Sequence, residues 1–370
     1  MIELDARMHQ RDRKPIRQTL FSLLYLSMII EAEDKNYTIL EFNDLQALSI
    51  EFHFGQTDSL DQHYLLIDLA TPCPTALEAE QIGHWLEQQA MPIIGYSPSD
   101  TNALTPFADV VVSSVPEVGR LTNQINAYPI SSTVLVQVLR VTSQMSIQEA
   151  LTVESLAFST LQSGREFAAW LEQYRDNHPN LSPAPVSHDE PPVLLTHHGE
   201  DLAIVLNRPK NHNAFSAEMR DALYDAFQLV ALDKTIKNAR VSGRGQYFCT
   251  GGDLAEFGQF GNAADAHLVR TLKLPSRILA GIPERFEFHL HRACIGSGIE
   301  IPAFAQKVTA HPETYFQLPE ISMGLIPGAG GCVSIPRRIG RQRTGWLALS
   351  GEKINAYTAL EWGLIDAIID

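Results

Sequence analysis

Cys294–Glu300 reads CIGSGIE; FCTGGDL at Phe248–Leu254 precedes it and QLPEISMGLIPGAGG at Gln317–Gly331 follows it. Each stretch pairs glycines with a carboxylate. Glycine lets a backbone come close to a ligand and turn its N–H groups inward. Paired inward N–H groups are what a developing oxyanion needs. Two carboxylates beside them can divide acid and base work when their surroundings push their pKa values apart. A single Gly-rich turn is structural in most proteins, but three in this order and spacing are a much stronger signal. Rival glycine motifs fail on context: Gly296–Ser297–Gly298 belongs to no GxGxxG that opens a helix, and no GKS or GKT marks a P-loop.

Around these stretches the second half of the chain alternates strands and helices. Val193–His197 and Leu202–Asn207 flank His198–Asp201 (HGED) as a hairpin. Ser216–Leu232 is an amphipathic helix with Ser216 as its N-cap and Met219, Leu223 and Phe227 on one face. A strand near Ala239–Ser242 then leads into the first glycine loop. Such a ββα unit, repeated, builds a spiral of small sheets. Phe286–Arg292 (FEFHLHR) alternates as a half-exposed strand whose His289 and His291 could line a pocket. Ala255–Leu274 carries no motif and reads as a mobile segment.

Upstream, Asn177–Pro192 (NHPNLSPAPVSHDEPP) holds five Pro and no apolar periodicity, and reads as an extended linker. It divides the chain into residues 1–176 and 193–370. In the first part Tyr37–Phe42, Tyr64–Leu69, Pro92–Tyr96 and Asp109–Val112 read as strands, and Thr75–Gln89 as a helix with Leu77, Ile82 and Leu86 near one face. Helices follow at Ser131–Val141, Ile147–Leu161 and Glu166–Tyr174. This is an α/β module ending in helices. It shows no chemical motif: Glu154 and His84 fall on helices and read as parts of solvated faces.

A length of 370 residues suggests two units at roughly 150 residues each. With 45% hydrophobic and 19% charged residues, a packed core is expected rather than disorder. Cys73, Cys249, Cys294 and Cys332 are too dispersed for a disulfide framework, and no CxxC suggests zinc; Cys249 and Cys294 read as small buried thiols. The net charge of −15 argues against nucleic acid or an anionic membrane as a partner. Residues 1–190 hold 10 Lys and Arg against 25 Asp and Glu, whereas residues 191–370 hold 18 of each. A phosphate-bearing ligand would therefore prefer the second half. Thr19–Ile30 (TLFSLLYLSMII) follows four basic residues as a signal peptide would. It is too short to span a membrane, and Glu31, Glu33 and Asp34 follow at once. It reads as a buried or amphipathic helix, or as sequence upstream of a start at Met28, and the expected location is the cytoplasm.

Residues 193–370 resemble the enoyl-CoA hydratase/isomerase (crotonase) superfamily. The resemblance begins at Asn207–Ala214 (NRPKNHNA). It runs through FCTGGDL, CIGSGIE and LPEISMGLIPGAGG to Ile335–Gly340 (IPRRIG) and Ala359–Asp366 (ALEWGLID). It implies a crotonase-like ββα spiral and an acyl-CoA thioester substrate, with coenzyme A as part of that substrate and no separate cofactor or metal. It puts the oxyanion N–H groups on Gly252 and Ser297, the water-activating base on Glu300 and the C2 proton donor on Glu320. Asp253, Gly251 and Gly328 would support the loops, and Arg208, Lys210, Asn213 and Ala214 would lie near the CoA end. Keeping both glutamates favours hydration of the C2=C3 bond. An enoyl-CoA isomerase of the same fold, or a CoA-binding scaffold without turnover, are the alternatives.

The family pattern is broken in three places. Ser297 and Arg292 stand where members usually carry Gly, and a charge at 292 would reshape the acyl pocket. The family usually continues past GLID into helices that finish the fold and mediate trimers. Asp109–Tyr174 resembles that ending, placed before the catalytic part. Residues 37–176 therefore read as a degenerate, non-catalytic module of the same kind. Its helices would cover the C-terminal face in cis or on a neighbouring subunit of a homo-oligomer (a trimer, a multiple of trimers, or a dimer).

Overall fold

The computed structural model describes residues 28–32, 35–51, 63–73, 75–99, 101–179, 190–259 and 262–369. Residues 19–27 of the apolar segment and 180–189 of the Pro-rich stretch lie outside them. Met28–Ile30 open a strand rather than continue a helix: β1 (Met28–Ala32) pairs antiparallel with β2 (Lys35–Ile39). Helix α1 (Phe42–Glu51) follows. Then come β3 (Leu65–Asp68), α2 (Ala76–Glu87), β4 (Ile93–Tyr96) and β5 (Val110–Val112). The three strands form a parallel sheet in the order β3-β4-β5. LLID and IIGY are the near-continuous apolar runs that a sheet covered on both faces selects. Thr75 caps α2 by accepting from the Glu78 amide. Leu77, expected on the packed face, is 65% exposed. It lies five residues before Ile82, about 140° around the helix, and the buried stripe is Ala79, Ile82, Trp85 and Leu86.

Helices α3 (Val115–Ala127), α4 (Pro129–Thr142), α5 (Ile147–Gln162) and α6 (Arg165–Asn177) complete this part. A reciprocal cap between Ser146 and Glu149 starts α5. The Glu166 carboxylate accepts from the amides of Ile130 and Ser131 at the start of α4.

The second part opens with the antiparallel hairpin β6 (Val193–His198) and β7 (Asp201–Leu206). Then come α7 (Ala217–Leu232), capped by Ser216, β8 (Asn238–Gly243), α8 (Ala263–Lys273), α9 (Pro275–Leu279), β9 (Phe286–Leu290), β10 (Ala293–Ile295) and α10 (Ser297–Glu300). After them lie β11 (Lys307–Ala310), β12 (Tyr315–Gln317), α11 (Gly331–Ile339), α12 (Arg341–Ser350), β13 (Ile354–Asn355), α13 (Ala356–Trp362) and β14 (Ala367–Ile368). The motif-free stretch 255–274 therefore contains a helix, α8, started by Asn262 accepting from the Asp265 amide.

Among the described residues, one sheet has the order β14-β11-β9-β8-β7-β6 and a smaller one β10-β12-β13. The chain passes from the larger to the smaller at β9 to β10 and again at β11 to β12, which is the expected ββα spiral. The alternation in Phe286–Leu290 buries Phe286, Phe288 and Leu290 and leaves Glu287 and His289 half-buried. The corner from β9 to β10 is made at Arg292, with φ 51. That left-handed conformation costs a non-glycine residue about 1–2 kcal/mol.

The two parts share one hydrophobic core. Leu135, Leu139, Leu151, Phe158 and Leu161 belong to the same cluster as Phe304, Cys332, Val333 and Leu347. Gly328 has no room for a side chain, because a Cβ there would stand 2.2 Å from the Phe158 ring. Arg337 donates to the carbonyls of Thr142 and Met145, and Arg341 pairs with the buried Asp109 at 2.6 Å. Helices α3 to α5 thus cover α8, α11 and α12 within one chain, and α6 packs on the turn at Glu320–Met323. Each fully buried side chain in such a contact is worth about 1.5–3 kcal/mol. Removal of residues 1–176 should therefore leave a fragment that aggregates or lacks a cooperative melt by circular dichroism. A soluble fragment with a sharp transition would show that the second part folds unaided.

Candidate active site

Three parallel strand segments deliver the three motifs to one edge. Cys249 bridges Cys294, and Ile295 pairs with Gln317, both in parallel. TGGD, GSG and LPE consequently emerge side by side. Gly251 has φ 92, and a Cβ there would lie 3.2 Å from the Ile295 carbonyl. The Phe215 amide donates to the Gly251 carbonyl at 2.7 Å and the Asp253 amide to the Phe215 carbonyl at 3.3 Å. In a parallel bridge this turns the intervening Gly252 N–H to the opposite side. Gly252 and Ser297 both line an open cleft, about 1360 Å³ with the solvent at its mouth included, together with Gly251, Asp253, Glu300, Glu320 and Gly328. Asp253 fixes the first loop, accepting from the Ala255 amide at 3.0 Å and from Asn211 Nδ2 at 3.0 Å. Ser297 Oγ sits 3.9 Å from the sulfur of buried Cys249, so the side chain in the place of the usual Gly is directed into the core.

Glu300 ends α10 and is buried. Its Oε2 accepts from the amides of Ala329 (2.7 Å) and Gly331 (2.9 Å). A Cβ built on Gly296 would lie 3.6 Å from Glu300 Oε1 and 2.5 Å from Glu320 Oε1, so both oxygens lie close to the same glycine. Burial pushes Glu300 up to about 7, against the pull of the Ala329 and Gly331 hydrogen bonds. Burial and then the neighbouring Glu300 charge hold Glu320 well above the ordinary carboxyl range. Glu320 Oε2 is enclosed and makes no hydrogen bond with the described residues. Near neutral pH the pair therefore offers one protonated acid and one group poised between acid and base, the division that acid–base chemistry requires.

A third carboxylate joins them. Glu154 is 1% exposed, not part of a solvated face. Its Oε1 accepts from the Gly330 amide (2.7 Å) and its Oε2 from the Cys332 amide (2.8 Å). The N–H groups at the start of α11 are shared between Glu154 and Glu300. The sequence held the clue: Glu154 is four residues from Ala150 and Phe158 and three from Leu151, inside the apolar stripe of α5. His84, by contrast, is on a solvated face between Glu80 and Glu87.

The residues expected at the CoA end do not line this cleft. Arg208 pairs with Glu218 at 2.8 Å, and Lys210 is exposed. Asn213 is buried and clamps its own loop, its Nδ2 donating to the carbonyls of Arg244 and Tyr247; Ala214 is buried beside it. Arg292 does not reshape the cleft, because its side chain leaves for solvent and meets Glu313 at 2.9 Å. His289 hydrogen-bonds Thr309, and His291 lies against the Gly245 carbonyl. The cleft wall instead includes Arg220 and Arg270, which sequence reasoning did not single out.

The enoyl-CoA hydratase/isomerase family model matches residues 201–370. The 2,3-dehydroadipyl-CoA hydratase of Escherichia coli (strain K12) is 30% identical over 176 residues, covering 48% of this chain and 68% of that protein. This chain belongs to the enoyl-CoA hydratase/isomerase family. The 1,2-epoxyphenylacetyl-CoA isomerase of the same organism is 32% identical over 173 residues, covering 46% of this chain and 66% of that protein. A solved enoyl-CoA hydratase from Thermoplasma volcanium GSS1 is 30% identical, covering 49% of this chain and 73% of that one, with a TM-score of 0.44. These matches span about two thirds of the curated relatives, whose names divide between hydratase and isomerase. Residues 1–200, Glu154 among them, precede the family match.

Glu154→Ala would orphan the buried amides of Gly330 and Cys332. At roughly 1–3 kcal/mol for each unmade bond, it should destabilise the protein by about 2–6 kcal/mol in urea unfolding, and Glu154→Gln by less. A loss near zero for Glu154→Ala would remove Glu154 from any part in holding the α11 start.

Proposed function

We propose that the protein adds water across the C2=C3 bond of an enoyl-CoA thioester. The observation that carries this is the approach of Glu300 Oε1 and Glu320 Oε1 to the same residue, Gly296, with both glutamates at the wall of a cleft also lined by Gly252 and Ser297. One water held between two carboxyl groups of different proton affinity is the requirement for hydration.

The thioester oxygen accepts from the N–H groups of Gly252 and Ser297, which draws electron density out of the conjugated bond. Ionised Glu300 takes a proton from the water as its oxygen bonds to C3. The C2=C3 pair moves to the thioester as an enolate, and protonated Glu320 delivers its proton to C2. Water has then been divided between C3 and C2, leaving Glu300 protonated and Glu320 ionised; proton exchange with solvent restores the pair. Gly252 and Ser297 use only main-chain donors, so Ser297 can serve in place of Gly. Asp253 and the glycines at 251 and 328 hold the loops.

A general acid or base is typically worth about 10²–10⁴ in rate. Glu300→Gln and Glu320→Gln should each lower kcat for crotonyl-CoA hydration by that range while retaining CoA binding. Loss of the conjugated thioester absorbance reports hydration. Conversion of a 3-enoyl-CoA without water addition would assign isomerisation, and binding without turnover of either would leave a scaffold. The pH profile follows from the signs. Glu300 acts ionised with a pKa of about 7, so kcat/KM should rise about tenfold per pH unit below pH 7 and level above it. Glu320 acts protonated, so activity should fall again as pH rises through its own raised pKa. A flat profile between pH 5 and 7 would exclude Glu300 as the base.

A further inference from the structure

Arg270 lies on α8 between Ala266 and Leu274, four residues from each, so it occupies the helix stripe that faces α5. Its Nη1 donates to Ser159 Oγ (3.0 Å) and to the Ala266 carbonyl (3.2 Å), and its Nη2 donates to Gln162 Oε1 (2.9 Å). The guanidinium stacks over the Phe158 ring at 4.0 Å. All these partners are neutral. A guanidinium carries five N–H donors, and these bonds engage three of them; Nε takes part in none. Burial lowers Arg270 only to about 10, so it is a cation at neutral pH. Arg220, the other cation among the described residues of the cleft wall, is already paired with Asp221 at 2.8 Å. A half-buried arginine in a cleft wall, whose hydrogen-bond partners are all neutral and whose Nε is unbonded, is suited to a planar anion even with the Glu154 and Glu300 charges nearby.

We infer that the acyl portion of the substrate carries a carboxylate, which docks on the Nε and Nη2 edge of Arg270. This rests on the acyl-CoA reading given above. Phe158 and the α5 hydroxyl and amide fix the plane of the guanidinium, and Ala266, Val269 and Leu274 give the chain an apolar wall. Apart from Arg220, already paired with Asp221, the other ionisable groups lining the cleft are acidic. Arg270 is what makes a second carboxylate acceptable there.

The test is equilibrium binding to the full chain, by calorimetry, of two saturated thioesters of equal length: glutaryl-CoA and pentanoyl-CoA. The wild type should bind glutaryl-CoA at least about tenfold more tightly. Arg270→Gln should bring that ratio close to one. Arg270→Lys, which keeps the charge but loses the fork, should lower it severalfold, and this variant carries the test if the glutamine variant does not fold. A wild-type ratio near one overturns the inference. A ratio that survives both variants also overturns it, and an equal loss for both thioesters would assign Arg270 to the CoA portion. If neither thioester nor free CoA binds, the acyl-CoA reading itself has failed, and this inference with it.

Discussion

Four consecutive amides, at 329 to 332, are taken alternately by two carboxylates that enter from opposite sides. Ala329 and Gly331 donate to Glu300, and Gly330 and Cys332 to Glu154. A helix start leaves such amides without internal partners and carries partial positive charge. Burying it dry would be costly; two acids satisfy it. The same contact divides the oxygens of Glu300. Oε2 is committed to the backbone, which leaves Oε1 to face Glu320. The orientation of the proposed base is therefore a by-product of how α11 begins.

Three acids in one enclosed region would repel one another if all were ionised. Burial raises all three; the Glu300 charge pushes Glu154 and Glu320 further up, and Glu300 is the one brought back to about 7 by its backbone donors and the Arg270 charge. Roles can thus be split without a metal-like counter-charge: one acid stays protonated, one titrates near neutrality, and one is tied to a helix end. The arrangement depends on exclusion of water, which Phe158 and the α5–α8 contact provide on one side.

The spiral, the three loops and the meeting of Glu300 with Glu320 were legible because local glycine and carboxylate patterns sit at the ends of adjacent parallel strands. The helices α4 to α6 were legible from their period. Glu154 is harder to read, because a charged residue on a helix ordinarily faces solvent, although its spacing from Leu151 and Phe158 puts it in the apolar stripe. Arg270 was hidden for a related reason: its helix lay in a stretch without motif, and only the packing of α5 against it turns a lone cation into part of a wall. Arg292 was misjudged because the one-letter pattern shows bulk but not direction; its left-handed backbone throws the side chain outward. Contacts that join residues from the two ends of a chain leave no mark on either segment alone.

The Glu154–Gly330 bond spans 176 positions. During synthesis at about 5–20 residues per second, the helix bearing Glu154 is made on the order of ten seconds before the amides it binds. Throughout that interval a nascent chain exposes an apolar stripe with an acid in its middle. Closing so distant a pair is slow as well as entropically costly. The acid in the stripe has no amides to bind until then, so the centre can close only after the second part of the chain has been made.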